Sequence, residues 1–317
     1  MSKKTIITIL LAVTALTANA QFLFRISGGG LEKPSYMLGT IHSLHGSVLD
    51  STPEYLEAEA LCQQFYTEYD VTDKQRIMNE LASNTPQGKA ELMLPDGKTI
   101  FDILSKEQIE ALDIRIKEVL GKNLSDSTMI SLRNYQPIVY NRLISNKIRS
   151  EVKKEFGPKS NGRGALIDET CILRAKLRGM EVGLLDDHYW GNDANNQQLQ
   201  QSTEEQVDSL MSLINNYDQW KQMAIKKVET IKQMIIFWCL ADYDSFTAMD
   251  YCQMTVKNSP KMFKERNERW LPKIQTAMSK APTLFVFGAG HLVGQYGVIQ
   301  LLRDAGYEVE QIKSNQR

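Results

Sequence analysis

The chain has 317 residues, of which 42% are hydrophobic and 24% are charged, proportions that are ordinary for a soluble globular protein. Its 37 basic and 38 acidic residues leave a formal net charge of −1, so no overall positive charge favours binding to nucleic acid or to an anionic membrane. The four cysteines lie far apart without a C-x-x-C pair, which argues against a disulfide-stapled scaffold and against a structural zinc site.

The first twenty residues have the features of a secretory signal peptide. Lys3 and Lys4 precede an apolar run over residues 6–16, and the tripeptide ANA at 18–20 supplies the small residues of a cleavage site. The apolar run is shorter than the roughly 20 residues that a membrane span needs, so no stable membrane anchor is expected. We therefore predict export, with a mature chain that begins at Gln21 after cleavage and is periplasmic or secreted.

Short β-prone segments occur at both ends of the mature chain, with helical patterns between them. The first two strands flank Gly28–Gly30, whose freedom to adopt positive φ predicts a hairpin. The predicted strands cover residues 22–26, 35–41, 64–69, 180–185, 283–287 and 307–312. The predicted helices include residues 53–61, 106–120, 193–216, 219–240, 260–278 and 295–305, with Pro53 and Pro260 at helix starts.

This order of elements predicts an α/β protein with a mixed sheet. Strands near both ends imply that the N- and C-terminal segments share one sheet, and the helical patterns between them form a largely helical insertion. No repeat, low-complexity tract or Pro/Ser-rich linker divides the chain. Residues 21–317 are therefore predicted to form a single domain.

Two of the four histidines share a local pattern. Gly39-Thr40-Ile41-His42 and Gly288-Ala289-Gly290-His291 each follow a β-prone run. In open α/β sheets, ligands collect at the carboxyl ends of strands, and a glycine three residues before the histidine admits close approach of the backbone. The G-x-x-H pattern thus places both histidines where ligands bind, although a hydrogen-bonded loop histidine fits the same pattern.

The C-terminal glycines also suggest a nucleotide-binding loop. Gly288, Gly290 and Gly294 have the spacing G-x-G-x-x-x-G, one residue longer than the dinucleotide fingerprint. A single predicted helix and one strand follow, which is too little for the remaining strands of a Rossmann fold. We therefore reject a dinucleotide site.

Four segments of the chain resemble the TraB/GumN family, which includes the Tiki metalloproteases. YMLGTIH (36–42) is similar to its opening signature, and FVFGAGHLVGQYGVIQLLRDAGYEV (285–309) is similar to its closing one. KERNERW (264–270) and LID (166–168) are similar to its middle segments. The resemblance spans the chain from Phe22 to about Ile312. It implies a fold akin to that of the erythromycin-esterase and ChaN-like proteins.

The resemblance also implies a site in which His42, His291 and Glu68 bind a divalent metal ion and Arg266 stabilises developing negative charge. Two imidazoles and one carboxylate leave an open metal position for activating water, and an arginine keeps its charge and presents several donors. Glu68 is either a metal ligand or a general base held beside the metal. The further residues expected to line the site are Gly39, Asp168, Asn267, Gly288 and Gly290.

One segment departs from the family pattern. Many relatives have a glutamate in a Gly-Leu-Glu-Thr run where this chain has Gly183-Leu184-Leu185-Asp186. Either Asp186 replaces that glutamate from a shifted position, or its acidic function is absent. His45 and His188 are expected outside the site, and a solvated face is the default for the charge-rich helix around Arg266.

The observations together predict an exported metal-dependent hydrolase. The resemblance implies a peptidase, so the expected partner is a peptide or small-molecule substrate. Two non-catalytic alternatives use the same residues: a metal- or haem-iron-binding protein of the ChaN type, and an accessory protein of an envelope or polysaccharide system with a decayed site. Substituting Glu68 or Arg266 should impair a catalyst more than a carrier.

Overall fold

We describe the protein from a computed structural model. The structure describes residues 21–83, 92–95, 97–157, 164–188 and 201–313. The predicted signal peptide lies outside these residues, as does the first part of the helix predicted over 193–216. In the described part of the chain, no helix has both the length and the apolar character needed to cross a membrane.

The described strands form one mixed sheet of six strands. In chain order they are β1 (Phe22–Gly28), β2 (Ser35–Thr40), β3 (Gln64–Thr67), β4 (Glu181–Leu184), β5 (Thr283–Gly288) and β6 (Tyr307–Gln311). Their order across the sheet is β4-β3-β5-β2-β1-β6. β2, β3, β4 and β5 run parallel to one another, whereas β1 pairs antiparallel with both β2 and β6. The predicted α/β fold, with N- and C-terminal strands in a shared sheet, is confirmed.

The hairpin of β1 and β2 depends on consecutive glycines. Gly28, Gly29 and Gly30 have φ of +74°, +55° and +83°, a region that other residues enter only at a cost. The turn sets the register in which Phe24 pairs with Met37. Both side chains are buried, so the hairpin places its apolar residues in the core as the sequence predicts.

Along the chain, helices separate these strands from β2 onwards. They are α1 (Pro53–Leu61), α2 (Lys74–Ser83), α3 (Lys106–Leu120), α4 (Ile130–Arg133), α5 (Pro137–Phe156), α6 (Ile167–Leu177), α7 (Thr203–Asn215), α8 (Tyr217–Cys239), α9 (Tyr243–Ala248), α10 (Asp250–Asn258), α11 (Lys264–Lys280) and α12 (Val298–Asp304). Short 3₁₀ turns include Gly46–Ser51 and Ala289–Leu292. The predicted bounds of α1 and α3 are confirmed.

Two predicted helix starts are wrong by several residues. Pro260 does not open α11, because the carbonyl of Ser259 accepts from Met262 and Phe263 and forms a turn before the helix begins at Lys264. The last helix begins at Val298 rather than Gln295. Gly294 has a φ of +79° and its carbonyl accepts from Gly297, so a turn occupies the predicted first helical residues.

The chain divides into two compact units. One contains the described residues of Met1–Asp73, Ser160–His188 and Gln233–Arg317, and the other those of Lys74–Lys159 and Tyr189–Lys232. The first unit holds the whole sheet. The second is helical, with a core formed by α3, α5 and α7 around Ile116, Tyr140 and Leu210. That residues 21–317 form a single domain stays a prediction.

The sheet forms the centre of the core of the first unit. Phe22, Leu38, Phe65, Phe285 and Phe287 are fully buried, and residues that are buried at successive positions of one strand place apolar side chains on both faces of the sheet. β2 and β5 are buried along their entire lengths. A sheet covered on both faces offers a ligand the ends of its strands rather than its surfaces.

None of the four cysteines is in a disulfide. Cys62, Cys171 and Cys252 are buried and Cys239 is half-buried. Burial raises the pKa of the Cys62 thiol to about 12 and that of Cys252 to about 11. The thiols therefore stay protonated at neutral pH and act as small apolar side chains.

Candidate functional site

Four polar side chains follow the parallel strands where these end. His42 comes two residues after β2, Glu68 one residue after β3, Asp186 two residues after β4, and His291 three residues after β5. Because β4, β3, β5 and β2 are neighbours and run in one direction, their carboxyl ends meet at one edge of the sheet. The histidines that the sequence separates by 249 positions thus lie at this same edge.

His42 lies at the exposed side of the site. Its side chain is 67% exposed, and its Nδ1 lies 2.9 Å from Asp168 Oδ2. Thr40 donates its hydroxyl to the other carboxylate oxygen of Asp168 at 2.6 Å. Asp168 is held in place because it stands in the first turn of α6. Its hydrogen bond raises the pKa of His42 to about 9.

The backbone that leads to His42 is held at Gly39 by a residue of α8. Trp238, near the end of α8, donates its indole N–H to the carbonyl of Gly39 at 2.7 Å. A Cβ on Gly39 would lie 2.4 Å from a methyl group of Leu292 and 3.2 Å from the Cα of Ala289. Glycine is therefore required at this position for β2 to approach the segment that carries His291.

His291 is buried, in contrast to His42. Its ring packs against Trp270 at 4.3 Å and against Phe263 at 5.1 Å between centroids. Its Nδ1 lies 2.6 Å from Asn267 Oδ1. Burial lowers the pKa of His291 to about 3, so the ring is neutral at physiological pH.

Asn267 determines which nitrogen of His291 carries the proton. Its amide nitrogen donates to the carbonyls of His291 and Tyr296 at 3.1 and 2.7 Å. The amide oxygen must then be the atom that faces the ring, and an oxygen of this kind can only accept. His291 therefore carries its proton on Nδ1, which leaves a lone pair on Nε2.

Arg266 lies between the groups of the site. Its Nη1 lies 3.2 Å from His291 Nε2, and its Nε lies 3.3 Å from Asp186 Oδ1. Its Nη2 forms ion pairs with both Glu68 and Asp186. The guanidinium also lies over the ring of Trp270, 4.7 Å from the centroid. Arg266 is only 2% exposed, so these contacts replace the solvation that its charge loses.

Glu68 is held by both of its carboxylate oxygens. The N–H of Gly288 donates to Oε1 at 2.7 Å, and the guanidinium of Arg266 pairs with Oε2. Burial alone would raise the pKa of Glu68. The positive charges of Arg266 and His42 and the hydrogen bond from the Gly288 amide more than offset burial, and they hold this pKa well below its ordinary value. Glu68 is therefore ionised at neutral pH.

Asp186 occupies the place where the sequence departs from the family pattern. Leu185, which stands where many relatives have glutamate, is buried in the core. The next residue, Asp186, continues the backbone pairing with β3 by donating its N–H to the carbonyl of Glu68 at 3.0 Å. Its carboxylate contacts Arg266 and accepts from the Trp270 indole at 2.8 Å. The structure thus places a carboxylate in the site one residue later in the chain.

Gly288 separates the exposed and the buried parts of the site. A Cβ at this position would lie 2.9 Å from His42 Nε2 and 3.3 Å from Glu68 Oε1. The two groups therefore face the same side of the Gly288 backbone. Gly290 has a different environment, since a Cβ there would lie 2.7 Å from the ring of Phe263.

The donor atoms of His42, His291 and Glu68 are of the chemical type that binds a divalent metal ion. His291 Nε2 lies 3.8 Å from Glu68 Oε2, and both histidines have Nδ1 beside a side-chain oxygen, an arrangement that orients metal-binding histidines. Among the residues that the structure describes, however, no three His, Cys, Asp or Glu side chains are close enough together to hold a metal ion. Arg266 instead contacts the lone pair of His291.

The remaining histidines have other surroundings. His45 caps the 3₁₀ turn Gly46–Ser51, where its Nδ1 accepts from the N–H of Ser47 at 3.2 Å. His188 is exposed.

Sequence reasoning missed the contribution of Trp270, whose indole contacts Asp186 and whose ring contacts both Arg266 and His291. The one available signal is that Trp270 follows Arg266 by four residues and so shares its helix face.

The sequence profile of the TraB/PrgY/gumN family matches residues 22–311. The chain belongs to this family. It is 23% identical to a Danio rerio protein named Metalloprotease TIKI1, over 90% of this chain and 62% of that protein. It is 20% identical to a Nematostella vectensis protein named Metalloprotease TIKI homolog, over 89% of this chain and 66% of that protein.

A third relative aligns over a shorter stretch. The chain is 34% identical to Metalloprotease TIKI2 of Danio rerio over 74 residues, which are 22% of this chain. The chain thus spans less than two thirds of the length of the first two relatives. No solved structure matches significantly, so the likeness to erythromycin-esterase and ChaN-like proteins stays a prediction.

Proposed function

We propose that the protein is an exported, metal-dependent hydrolase that cleaves peptide bonds. One observation carries the proposal: two histidines from adjacent parallel strands flank an ionised glutamate, and each histidine has its Nδ1 beside a side-chain oxygen. Nε2 of His291 therefore keeps a lone pair, whereas the ring of His42, whose pKa is raised to about 9, must lose a proton before its Nε2 can bind a metal. The relatives support peptide-bond hydrolysis as the reaction class, because both are named metalloproteases.

In this proposal, His42, His291 and Glu68 hold a divalent metal ion. Such an ion lowers the pKa of a bound water and polarises a carbonyl group. Asp168 and Asn267 orient the two imidazoles, and the ionised state of Glu68 equally suits it to accept a proton from water. Glu68 can bind the metal or accept the proton only with an oxygen that is released from its present partner, which is the Gly288 amide for Oε1 and Arg266 for Oε2.

Arg266 has a positioning role in the proposal. Its guanidinium contacts Glu68, Asp186 and His291, so it fixes the carboxylates and keeps Glu68 ionised. Asp186 in turn balances the charge of Arg266 in a buried environment. Stabilisation of an oxyanion by Arg266 stays a prediction, since these contacts engage the guanidinium in the described conformation.

Metal binding tests the proposal with a matched pair of histidine variants. Zn²⁺, Mn²⁺ and Co²⁺ would be titrated calorimetrically into the purified protein and into His42→Ala and His45→Ala. Both histidines lie in the same loop, and only His42 is placed at the site. We expect one ion per chain, with an affinity reduced at least about tenfold in His42→Ala and unchanged in His45→Ala. Equal affinity in both variants would contradict the proposed ligands.

Cleavage is then measured on a mixed peptide library by mass spectrometry, with Glu68→Gln as the test variant. This substitution keeps the shape of the side chain and removes its charge. We expect metal-dependent cleavage by the unmodified protein and a loss of at least about a hundredfold in Glu68→Gln. Metal binding without any cleavage would reject the hydrolase and favour the metal carrier.

A further inference from the structure

A cavity of about 730 Å³ lies outside the cluster of His42, Glu68 and His291. It is bounded by α9, α10, the start of α11 and the segment that follows His291 into α12. Its lining includes Tyr243, Val256, Lys257, Lys264, Tyr296 and Arg303. Gln295, Tyr296 and Lys257 are exposed, so the cavity opens to solvent. Its volume is in the range of small-molecule sites.

The inner wall of the cavity is apolar. Leu292, Val293 and Ile299 are buried and line it on the side of the last helix. Val256 lines it from α10. Such a wall favours an uncharged body that can displace water from it.

The charged groups around the cavity are all of one sign. Lys257, Lys264 and Arg303 line it, whereas no Asp or Glu of the described residues does. Lys264 is paired with Glu268 at 2.7 Å. Within the described chain neither Lys257 nor Arg303 forms an ion pair, and Arg303 donates only to the carbonyl of Val309 at 2.8 Å. Lys257 and Arg303 therefore contribute positive charge to the cavity that no carboxylate of the described residues neutralises in an ion pair.

We propose that this cavity binds a small amphiphilic anion, a single apolar chain that ends in a carboxylate or a phosphate. The chain would contact the wall formed by Leu292, Val293 and Ile299, and the charged head would face Lys257 and Arg303. Both cations are exposed at the cavity, so they can pair with the head group while it keeps part of its hydration. The proposal does not depend on the protein being a hydrolase.

The cavity wall and the histidine site share one backbone segment. Tyr243 donates its hydroxyl to the carbonyl of Leu292 at 2.9 Å, and Asn267 donates to the carbonyl of Tyr296 at 2.7 Å. Asn267 also holds the ring of His291. A molecule bound in the cavity would therefore contact the segment that positions His291, which gives a spectroscopic reporter of its occupancy.

Four probes separate the contributions of the ligand's alkyl chain and of its charged head group. Decanoate, decyl phosphate, 1-decanol and acetate would be titrated calorimetrically into the full-length protein. We expect one site for decanoate or decyl phosphate, and the tighter of the two identifies the head group. Decanol should bind at least about tenfold more weakly, and acetate should not bind measurably. Equal binding of decanol and both anions would overturn the proposal, because an apolar void needs no cation.

Two variants locate the bound anion. Lys257→Glu reverses an exposed cationic charge at the cavity and should weaken anion binding about three- to tenfold. Lys280→Glu makes the same change at an exposed position on α11 that does not line the cavity and should have no effect. Ala248→Trp places a large ring at the cavity and should abolish binding. Binding that survives both Lys257→Glu and Ala248→Trp would overturn the proposal.

Occupancy of the cavity can also be detected without activity. The imidazole resonances of His291 should shift on saturation with the tighter anion, and those of His45 should not. Binding with no change at His291 would overturn the assignment of the cavity as the site.

Discussion

The loops after β2 and β5 carry the same motif in opposite environments. Both strands are fully buried, they are parallel neighbours, and each is followed by G-x-x-H. Yet the side chain of His42 is 67% exposed, and that of His291 is 5% exposed. The pKa of the first is raised to about 9 and that of the second is lowered to about 3.

The difference comes from what packs over each loop. α11 covers the loop after β5, where Asn267 and Trp270 contact His291 directly. At the loop after β2, the His42 ring pairs with the carboxylate of Asp168. A local motif therefore positions a histidine, and the segment packed against it decides its charge. We infer that His291 is the fixed member of the pair and His42 the adaptable one.

The largest expected effect concerns the arginine on the buried side. Arg266→Met leaves the carboxylates of Glu68 and Asp186 without their common partner, and removing one member of a buried ion pair costs about 3–5 kcal/mol. We expect the free energy of unfolding in urea to fall by that amount. Arg269→Met is the matched control, because Arg269 is an exposed residue of the same helix and should cost less than about 0.5 kcal/mol. Equal losses would show that the buried network contributes nothing specific.

The next effect compares the two histidines directly. His291→Ala removes a buried ring that packs against Trp270 and Phe263, so we expect a loss of about 2–4 kcal/mol in the free energy of unfolding. His42→Ala removes an exposed ring and should cost less than about 1 kcal/mol. Urea denaturation of both variants measures the contrast. If His42→Ala proved the more destabilising, the environments described here would be wrong.

The titration of the two rings sharpens the comparison without any substitution in the core. In the metal-free protein, NMR should give His42 a pKa near 9 and His291 a pKa near 3. Because the pKa of His42 is raised, its contribution to stability is complete below about pH 6.5 and is lost as the pH rises towards 9. The pKa of His291 is lowered, so its contribution is present above about pH 6.5 and is lost as the pH falls towards 3.

The His42→Ala and His45→Ala variants assign the resonances of these two rings. If His42 and His291 both titrated close to the ordinary pKa of 6.5, the two loops would no longer differ in the way described.

The smallest expected effect on stability belongs to Gly288→Ala. The added methyl group would lie 2.9 Å from His42 Nε2, at the far end of an exposed side chain that can turn away. We expect a loss below about 1 kcal/mol. The displaced ring should nevertheless weaken metal binding about tenfold, as measured by the calorimetric titration described above. Unchanged metal affinity would show that His42 does not act beside Gly288.

The sequence predicts the fold well where local patterns determine it. The hairpin glycines, Pro53 at the start of α1, and the apolar spacing of α3 all lead to the elements that form. Errors arise where a turn precedes a helix, as at Pro260 and Gln295, because backbone N–H groups that donate to a preceding carbonyl compete with the first helical turn. Such competition depends on geometry that residue propensities do not contain.

The site is predicted less completely than the fold. The sequence and the family resemblance together propose His42, Glu68, Arg266 and His291, and the structure brings all four to one edge of the sheet. The role of Asp186 could not be settled, because it follows from the continued pairing of β4 with β3 across more than a hundred intervening residues. The opposite charge states of the two histidines follow in the same way from long-range packing.

The position of β5 has a consequence for the order in which the molecule can assemble. β5 lies between β2 and β3, although Thr283 at its start contacts Ser35 across 248 positions of the chain. Before β5 is in place, β1 with β2 and β3 with β4 can form only two separate ribbons, each with an unpaired apolar edge. Contacts of such long range are slow to form. The pairing of Thr283–Gly288 with both ribbons is therefore the folding step that joins two aggregation-prone pieces into one sheet, and it creates the edge at which the two histidines meet.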